Sequence, residues 1–500
     1  MAIQLPDIDL SRLLDQFIYH KESPLIFNSG IFLFIFFGFI SVYALLSKTH
    51  HAKFLFVVLF SLYFYYKSSG FYFLLLIFST VVDYNLGKWM HQSENQGKRR
   101  FLLVFSIVLN LGILLYFKYT NFILQTYDDV MGRHFERMDI FLPIGISFFT
   151  FQSLSYSIDI YRKQLEPAPH ILNYAFFVSF FPFLVAGPIV RASYFLPQLQ
   201  KPTFVSKEML GRGIFLIVCG LLKKAVIADY ISINFVDRIF DNPSLYSGLE
   251  NLFGLYGYAL QIYCDFSGYS DMAIGIALLL GFQFPDHYNF NAPYRSLNIT
   301  EFWRRWHISL STWLRDYLYI SLGGNRKGKF RAYLNQFITM VLGGLWHGAS
   351  LRFLLWGAMH GLALAINKIW LTITKQKAVG GRSSLMGTVL GWFITFHFVC
   401  FCWIFFRADN METAGKMLHQ IFHQFHPQLF FEFVKGYQVV VALMALGYLL
   451  HFVPDTMETA TQRAVIRMPL LGKALLLVLT IVWVIQMKSS EIQPFIYFQF

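Results

Sequence analysis

The stretch IFLFIFFGFISVYALL at residues 31–46 is apolar on every side. Strands of an outer-membrane barrel are short and alternate apolar with polar residues, whereas a helix that spans a bilayer needs about 20 predominantly apolar residues. The stretch therefore predicts a membrane-spanning helix, and its lack of alternation excludes a porin-like barrel.

Comparable runs recur from end to end and predict about ten to twelve spans of this length. The chain is 56% hydrophobic and 14% charged, against about 45–50% apolar and 25% charged in a soluble domain. The predicted fold class is an all-α polytopic membrane protein with re-entrant and interfacial amphipathic helices, organised as one membrane domain over residues 1–500. The runs cover residues 29–47, 70–87, 101–118, 140–160, 171–190, 210–230, 248–282, 334–348, 351–373, 386–406, 433–453 and 471–487.

The distribution of charge predicts an orientation in the membrane. The net charge is +13, and the loops KTHHAK (48–53) and KWMHQSENQGKRR (88–100) are basic. Because short basic loops stay in the cytoplasm, both are predicted to face it, with the N-terminus outside. This rule and anionic lipid headgroups explain the positive charge better than nucleic acid does. The acidic residues of segment 1–25, which has no basic n-region, predict an uncleaved anchor.

The four cysteines each lie in an apolar stretch, and none forms a spaced pair of pairs. The pattern predicts neither a disulfide framework nor a zinc site, and no metal is expected. The cysteines are Cys219, Cys264, Cys400 and Cys402.

Two stretches interrupt the apolar sequence that is predicted to span the membrane. In FFVSFFPFLVAGPIVRASYFLPQLQKP (176–202), prolines and glycine predict either a re-entrant loop or a kinked span followed by a surface loop. In YCDFSGYSDMAIGIALLLGF (263–282), Asp265 and Asp271 are costly at membrane depth. These carboxylates could bind a cation, relay protons, or pair with the nearby arginine cluster and hold helices together.

A third stretch contains His307. Asn298 followed by Glu301 resembles a capping box and predicts a helix start. From there, aromatic and leucine residues recur at helical spacing. Glycines within residues 322–325 indicate the end of the helix, so an amphipathic helix is predicted up to residue 322. His307 lies four residues after Trp303, on the apolar face, and is expected to point inward.

His347 lies in GGLWHGAS (343–350), where small residues leave room for another backbone or a substrate chain. An ionisable side chain inside apolar sequence usually has a function. Histidine near neutral pH could act as general base on an alcohol. The alternative is a buried histidine that bridges two helices. Neither a G-x-S-x-G motif nor a cysteine nucleophile adjoins the histidines, which favours direct transfer over an acyl-enzyme.

Several motifs resemble the membrane-bound O-acyltransferase (MBOAT) superfamily. The central ones are WRRWHISLSTWLRDYLYISLGGNRKGK (303–329), LGGLWHGAS (342–350) and WGAMHG (356–361). The closest likeness is to the bacterial branch of alginate O-acetylation proteins, peptidoglycan O-acetyltransferases and the teichoic acid D-alanine transfer protein. The resemblance defines a catalytic core at about residues 140–410 and recurs at the C-terminus. Further stretches are LPIGISFFTFQSLSY (142–156), FFPFLVAGPIVR (180–191), YCDFSGYSDMAIG (263–275), FFRA (405–408) and PFIYFQF (494–500).

The resemblance implies roles for particular residues. His347 matches the catalytic histidine of the family, and His307 matches its second required histidine. His360 falls at a family-like position and is interpreted as supporting structure. Ser321 departs from the family, whose pattern commonly has proline at this position. The difference concerns the end of the helix and not the predicted activity.

The remaining candidate residues are hypotheses about substrate binding. Arg304 and Arg305, with the bases at 326–329, could attract the phosphates of acetyl-CoA or an acidic carrier protein, although such a cluster is more often an interface anchor. Asp265 or Asn291 could orient an imidazole. The aromatic side chains of Trp303 and Trp306 complete the set of substrate-binding candidates.

The resemblance implies transfer of an acyl group, most simply acetyl, from a cytoplasmic acyl-CoA or acyl carrier protein thioester. The acceptor would be a hydroxyl of a cell-envelope polysaccharide or a partner that delivers the group. The expected setting is the bacterial cytoplasmic (inner) membrane, with an extracytoplasmic acyltransferase as partner and no bound cofactor. Alternatives are D-alanyl transfer to teichoic acid, or a non-enzymatic transporter or scaffold of an envelope complex.

Overall fold

The computed structural model describes residues 11, 15–21, 24–27, 29–46, 50–375, 384–487 and 495–496. Within these residues every regular element is helical, which confirms the all-α prediction. Much of segment 1–25, two residues of the KTHHAK loop and most of the terminal PFIYFQF motif lie outside the described residues, and the uncleaved anchor stays a prediction.

The helices of six residues or more are numbered in chain order. They are α1 Gly30–Leu45, α2 His50–Ser69, α3 Phe73–Gln92, α4 Gln96–Leu114, α5 Thr120–Met131, α6 Ile146–Tyr161, α7 Ile171–Ser179, α8 Ala192–Leu199, α9 Lys207–Leu221, α10 Gly248–Leu279, α11 Ile299–Arg305, α12 Ile308–Trp313, α13 Lys329–His347, α14 Leu351–Thr374, α15 Leu385–Arg407, α16 Met411–His423, α17 Phe430–Gly436, α18 Gln438–His451, α19 Asp455–Arg467 and α20 Leu470–Met487. π-Helical turns occupy Leu115–Tyr119, Leu222–Ala228, Ser232–Val236 and Leu314–Tyr319. Shorter helical pieces are Gly70–Tyr72, Phe181–Leu184, Asp229–Ile231, Asp237–Asp241, Pro243–Leu245, Pro293–Arg295 and Pro427–Leu429.

Five helical stretches of the described chain are long and apolar enough to cross a membrane, and a bent helix pair at 427–451 raises the number to six. The chain is therefore a multi-pass membrane protein. Several other predicted spans fold as shorter or interrupted helices, so the larger number of about ten to twelve stays a prediction. The five stretches are His50–Gln92, Gln96–Met131, Leu351–Thr374, Leu385–Arg407 and Leu470–Met487.

The chain divides into two compact units. The first contains residues 1–117, 140–202 and 490–494, and the second contains residues 118–139, 203–489 and 495–500. Both histidine motifs belong to the second unit. The single membrane domain over residues 1–500 stays a prediction.

A buried carboxylate ties together three helices of the first unit. Asp83 on α3 accepts hydrogen bonds from Ser106 Oγ at 2.8 Å and from Asn110 Nδ2 at 3.0 Å, both on α4. Ser106 also contacts Ser157 on α6 at 2.9 Å. Because every partner is itself buried, the network satisfies a group that would otherwise be costly at this depth.

The proline-rich stretch 176–202 is interrupted as predicted. The helix breaks at Phe180, continues for one turn over Phe181–Leu184, and becomes regular again only at Ala192. Residues 181–190 are buried throughout, so no surface loop begins within them, and the choice between a re-entrant loop and a kinked span stays a prediction. Phe181 explains the burial, because its ring lies 5.0–6.5 Å from a cluster of phenylalanine rings. They belong to Phe27, Phe32, Phe36, Phe39, Phe60 and Phe64.

Glycines bring α9 and α10 into backbone contact in the second unit. A Cβ at Gly220 would lie 2.5 Å from the carbonyl oxygen of Gly268, and one at Gly213 would lie 2.9 Å from that of Gly275. The two pairs are seven residues apart on each helix, so they repeat along one face. This contact positions α10, which carries Asp265, Ser270 and Asp271.

We expect Gly220→Ala to lower the free energy of unfolding by about 1–3 kcal/mol, because the added methyl group forces two packed backbones apart. Thermal unfolding in detergent measures the change. Gly415→Ala is the matched control, because its Cβ meets nothing within 4 Å and the residue is also inside a helix. Equal stability of the two variants would contradict the predicted clash.

Candidate active site

The predicted helix around His307 begins as expected but does not continue. Asn298 caps α11, accepting from the backbone N–H of Glu301 at 2.9 Å. The helix ends at Arg305, and α12 starts only at Ile308. Between them His307 has φ +42° and ψ 54°, a left-handed conformation that costs a non-glycine residue about 1–2 kcal/mol. The prediction of one continuous helix to residue 322 is therefore wrong.

The physical reason for the break is backbone pairing with a preceding segment. The N–H of Asn291 donates to the carbonyl of Arg305 at 2.9 Å, and the N–H of Ile308 donates to the carbonyl of Asn289 at 2.9 Å. These bonds take groups that a continuous helix would use internally. They also turn the imidazole of His307 into the core, where it is fully buried. The expectation that this side chain points inward is confirmed.

Asn289 also contacts His307 through its side chain. Its Oδ1 lies 3.0 Å from Nδ1 of the imidazole and accepts from Ser309 Oγ at 2.8 Å. Its Nδ2 donates to Ser270 Oγ on α10 at 2.9 Å. The ring of Phe266 packs edge-on against the imidazole with ring centres 4.6 Å apart. His307 is thus held between α10 and the segment around residue 289.

His347 is the last residue of α13 and is buried. Its ring centre lies 6.4 Å from that of His307. Aromatic rings pack around it at centre distances of 5.0–5.2 Å, from Trp346, Trp356 and Phe406. The structure therefore brings together the two histidines that the sequence places forty residues apart.

The glycines around His347 accommodate a neighbouring helix. A Cβ at Gly344 would lie 2.2 Å from the carbonyl oxygen of Phe353 on α14, and one at Gly348 would lie 2.0 Å from the Phe353 ring. Of the two uses that the sequence left open, close approach of another backbone is the one observed. The small residues pack α13 against α14.

A lysine and a tyrosine hold the C-terminal end of α13. Lys118 Nζ donates to the carbonyls of Trp346 at 2.5 Å and His347 at 3.1 Å, and Tyr119 Oη donates to that of Leu345 at 2.8 Å. A cation at this end also interacts favourably with the helix dipole. The last carbonyls of a helix need partners from outside it, so these contacts fix the position from which the imidazole projects.

The buried Asp265 and the half-buried Asp271 form ion pairs with lysines. Asp265 lies 2.5 Å from Lys224, which also pairs with Asp229 at 2.7 Å, and Asp271 pairs with Lys223 at 2.7 Å. Asp265 Oδ2 additionally accepts from the backbone N–H of Ile496 at 3.0 Å. The helix-holding interpretation is thus the one observed, but the partners are lysines and not the predicted arginine cluster.

The other candidate residues have structural contacts. Trp303 Nε1 donates to Nδ1 of His360 at 3.3 Å, and Trp306 packs against Trp403 with ring centres 5.0 Å apart. Arg304 is exposed. Arg305 pairs with Glu301 at 3.0 Å and donates to the carbonyl of Asn291 at 3.1 Å. A role in substrate binding stays a prediction for these residues.

Sequence reasoning missed Asn289, Ser270, Lys118 and Tyr119. It named Asp265 or Asn291 as a partner of an imidazole, yet the side chain that contacts His307 is that of Asn289. Lys118 had a usable signal, because a lysine at the end of the apolar run 101–118 is as unusual as a histidine there. Nothing in the sequence indicated that its partners lie beyond residue 340.

A cavity of about 490 Å³ adjoins this site in the second unit. Ser270 and Asn289 line its wall, so one hydrogen bond separates that wall from His307. Three ion pairs also line it: Arg212 with Asp286, Lys223 with Asp271, and Arg295 with Asp455. The lining thus combines apolar residues with charged side chains of both signs.

All four cysteines lie within the described residues, and none is joined in a disulfide. Across the described part of the chain, no group of three or more His, Cys, Asp or Glu side chains is arranged to hold a metal ion.

The long apolar helices and the paired buried histidines of the described residues define a multi-pass membrane protein with a buried polar site. The sequence profile of MBOAT, the membrane-bound O-acyltransferase family, matches residues 60–406. The chain belongs to this family, and it is an acyltransferase.

Named relatives cover most of the chain. It is 38% identical over 424 residues to the peptidoglycan O-acetyltransferase of Helicobacter pylori, covering 79% of each chain. It is 36% identical over 504 residues to a probable alginate O-acetylase of Pseudomonas putida, covering 95% of this chain and all of the relative. Identity to the teichoic acid D-alanyltransferase of Bacillus subtilis is 31% over 287 residues, covering 55% of this chain and 69% of the relative.

We expect Lys118→Met to lower the free energy of unfolding by about 1–3 kcal/mol, because it leaves two buried carbonyls at the end of α13 without their donor. Thermal unfolding in detergent measures the change. Lys435→Met is the control, since that lysine lies in the last turn of α17 but is exposed. A loss of stability in the control as large as that in Lys118→Met would contradict the assigned role.

Proposed function

We propose that this protein transfers an acyl group, most simply acetyl, from a thioester donor to a hydroxyl of a cell-envelope polysaccharide, or to a partner that delivers the group there. The observation that carries the proposal is the pair of buried imidazoles of His307 and His347, with ring centres 6.4 Å apart. Relatives named as peptidoglycan and alginate acetylating proteins support the acetyl group and the envelope acceptor.

In the proposed reaction, His347 acts as general base. It takes the proton from the acceptor hydroxyl while the oxygen attacks the thioester carbonyl carbon, which forms the new C–O bond. The C–S bond then breaks, and the leaving thiolate takes the proton from the imidazolium. Such catalysis contributes typically about 10²–10⁴-fold to a rate. His307 positions a reacting group or shares the proton.

The rigid end of α13 supports this role for His347. A general base must be held within hydrogen-bond reach of the proton that it removes. The bonds from Lys118 and Tyr119 fix the backbone at the imidazole, and the rings of Trp356 and Phe406 restrict its rotation. The same rings exclude water, which strengthens electrostatic interactions within the site.

We further propose that the donor thioester reaches the histidines through the adjoining cavity. Acetyl-CoA and an acyl carrier protein present the same phosphopantetheine arm, which is slim and carries phosphate. Arg212, Lys223 and Arg295 line the cavity and could bind phosphate, while Asn289 and Ser270 lie at its inner wall. For a donor in this cavity we favour this set over Arg304 and Arg305, because neither of those residues lines the cavity.

The proposed setting is the bacterial cytoplasmic membrane, with the donor on its inner side. The basic loop at 88–100 supports this orientation through the preference of short basic loops for the cytoplasm. A partner protein outside the membrane would complete transfer to the polymer. D-alanyl transfer is the second candidate function, and the similarity to the teichoic acid D-alanyltransferase over 55% of this chain favours it less than acetylation.

We expect His347→Ala to lower acyl transfer by about 10²–10⁴-fold, because it removes the general base. The assay supplies radiolabelled acetyl-CoA to membranes containing wild-type protein, His307→Ala or His347→Ala, and counts label in the envelope fractions. His419→Ala is the control, because that histidine is exposed on α16. The labelled fraction identifies the acceptor.

Full transfer by His347→Ala at normal protein levels would contradict the assignment. If wild-type membranes give no label from acetyl-CoA, the assay is repeated with a carrier protein that bears a labelled acetyl or D-alanyl thioester. The envelope partner is also added. Label that appears only with the D-alanyl donor would favour the second function. Failure with every donor would favour a transporter or scaffold.

We expect Arg212→Ala to raise the KM for the donor several-fold with a smaller effect on kcat, because the side chain lies in the proposed donor cavity, away from the imidazoles. Initial rates at varied acetyl-CoA concentrations measure both constants. Arg463→Ala, an exposed arginine on α19 that does not line the cavity, is the control. An unchanged KM would argue against donor binding in this cavity.

A further inference from the structure

Asn289 occupies an unusual place between the cavity and the histidine pair. It is 1% exposed, and its side chain is surrounded by hydrogen-bonding groups from three segments. Oδ1 lies 3.0 Å from His307 Nδ1, 2.8 Å from Ser309 Oγ and 3.4 Å from the backbone nitrogen of Ser309. Nδ2 donates to Ser270 Oγ at 2.9 Å.

These contacts determine which way the amide faces. A backbone N–H can only donate, so the Asn289 atom that faces the backbone nitrogen of Ser309 must be the oxygen. The same oxygen faces Nδ1 of His307. Because an amide oxygen can only accept, Nδ1 must carry a hydrogen and donate it.

A neutral imidazole has one protonated and one basic nitrogen, and the partner of the first determines which nitrogen is basic. We propose that Asn289 is the positioning residue of His307: it holds the imidazole in the tautomer with the hydrogen on Nδ1, so that Nε2 is the nitrogen that accepts a proton. The inference rests on the proposed function and deepens it, because it assigns the proton-sharing atom of the second histidine.

The backbone supports the same arrangement. The carbonyl of Asn289 accepts from the N–H of Ile308, so one residue holds both the left-handed backbone turn at His307 and the ring itself. Rotation of the ring would exchange the two nitrogens and lose the bond to Oδ1. Phe266 and Phe290 pack against the imidazole and oppose that rotation.

The experiment compares Asn289→Ala with Asn289→Asp in the acyl-transfer assay. At metal sites, loss of the partner that orients a histidine costs about 10–100-fold, and we expect a loss of the same order for Asn289→Ala. Asn289→Asp keeps an acceptor oxygen for Nδ1, so it should retain more activity at high pH. Its carboxylate also stabilises the imidazolium, and the acid limb of the pH–rate profile should move to higher pH.

Other titratable groups near His307 are common to both variants and cannot produce this difference. They are His347, and beyond it His360 and Lys118, together with the ion pairs Asp271–Lys223 and Arg305–Glu301 on adjoining segments. Ser311→Ala is the control for loss of a hydrogen bond on α12, because its hydroxyl donates to the carbonyl of Trp306 at 3.3 Å and not to His307.

Near wild-type activity in Asn289→Ala would overturn the inference while leaving the proposed function intact. An equal loss in the Ala and Asp variants at every pH, with normal amounts of folded protein, would also overturn it, because packing alone would then explain the effect. If wild-type protein shows no histidine-dependent transfer with any donor, the proposed function fails, and the inference fails with it.

Discussion

The pairing of residues 289–291 with residues 305–308 is the constraint on which the site depends. Two backbone hydrogen bonds compete successfully with the helix that the sequence around His307 would otherwise form. The left-handed conformation of His307 is unfavourable by itself, and it persists because the surrounding contacts determine it. Backbone strain of this kind concentrates at functional sites, where it gives a side chain a direction that a regular helix would not allow.

The second histidine is positioned by different means. His347 stands at the end of a long regular helix, so its direction follows from the helix axis and from the contacts that hold the last carbonyls. Gly344 lets α14 approach α13 closely enough for Trp356 to contact the imidazole of His347. One histidine thus depends on an irregular turn and the other on close helix packing, and their rings meet in one aromatic core.

The sequence predicted the helical class, the membrane environment and both histidines, because apolar runs and ionisable residues within them are local signals. The cap at Asn298 was also local and was confirmed. The break at residue 306 was not predictable, because the helical periodicity continues through it and the competing hydrogen bonds come from Asn291 and Asn289, well before it in the chain. The partners of Asp265 and Asp271 were missed for the same reason: Lys223 and Lys224 lie on another helix.

The bond between Lys118 and the carbonyl of His347 has a consequence for biosynthesis, since 229 positions separate the two residues in the chain. At about 5–20 residues per second, the ribosome needs roughly 10–45 s to make the intervening sequence. During that interval the side chain of Lys118 is already synthesised, but its final acceptors do not yet exist. Until α13 is made, water, lipid headgroups or the insertion machinery must therefore supply hydrogen-bond acceptors for the Lys118 side chain.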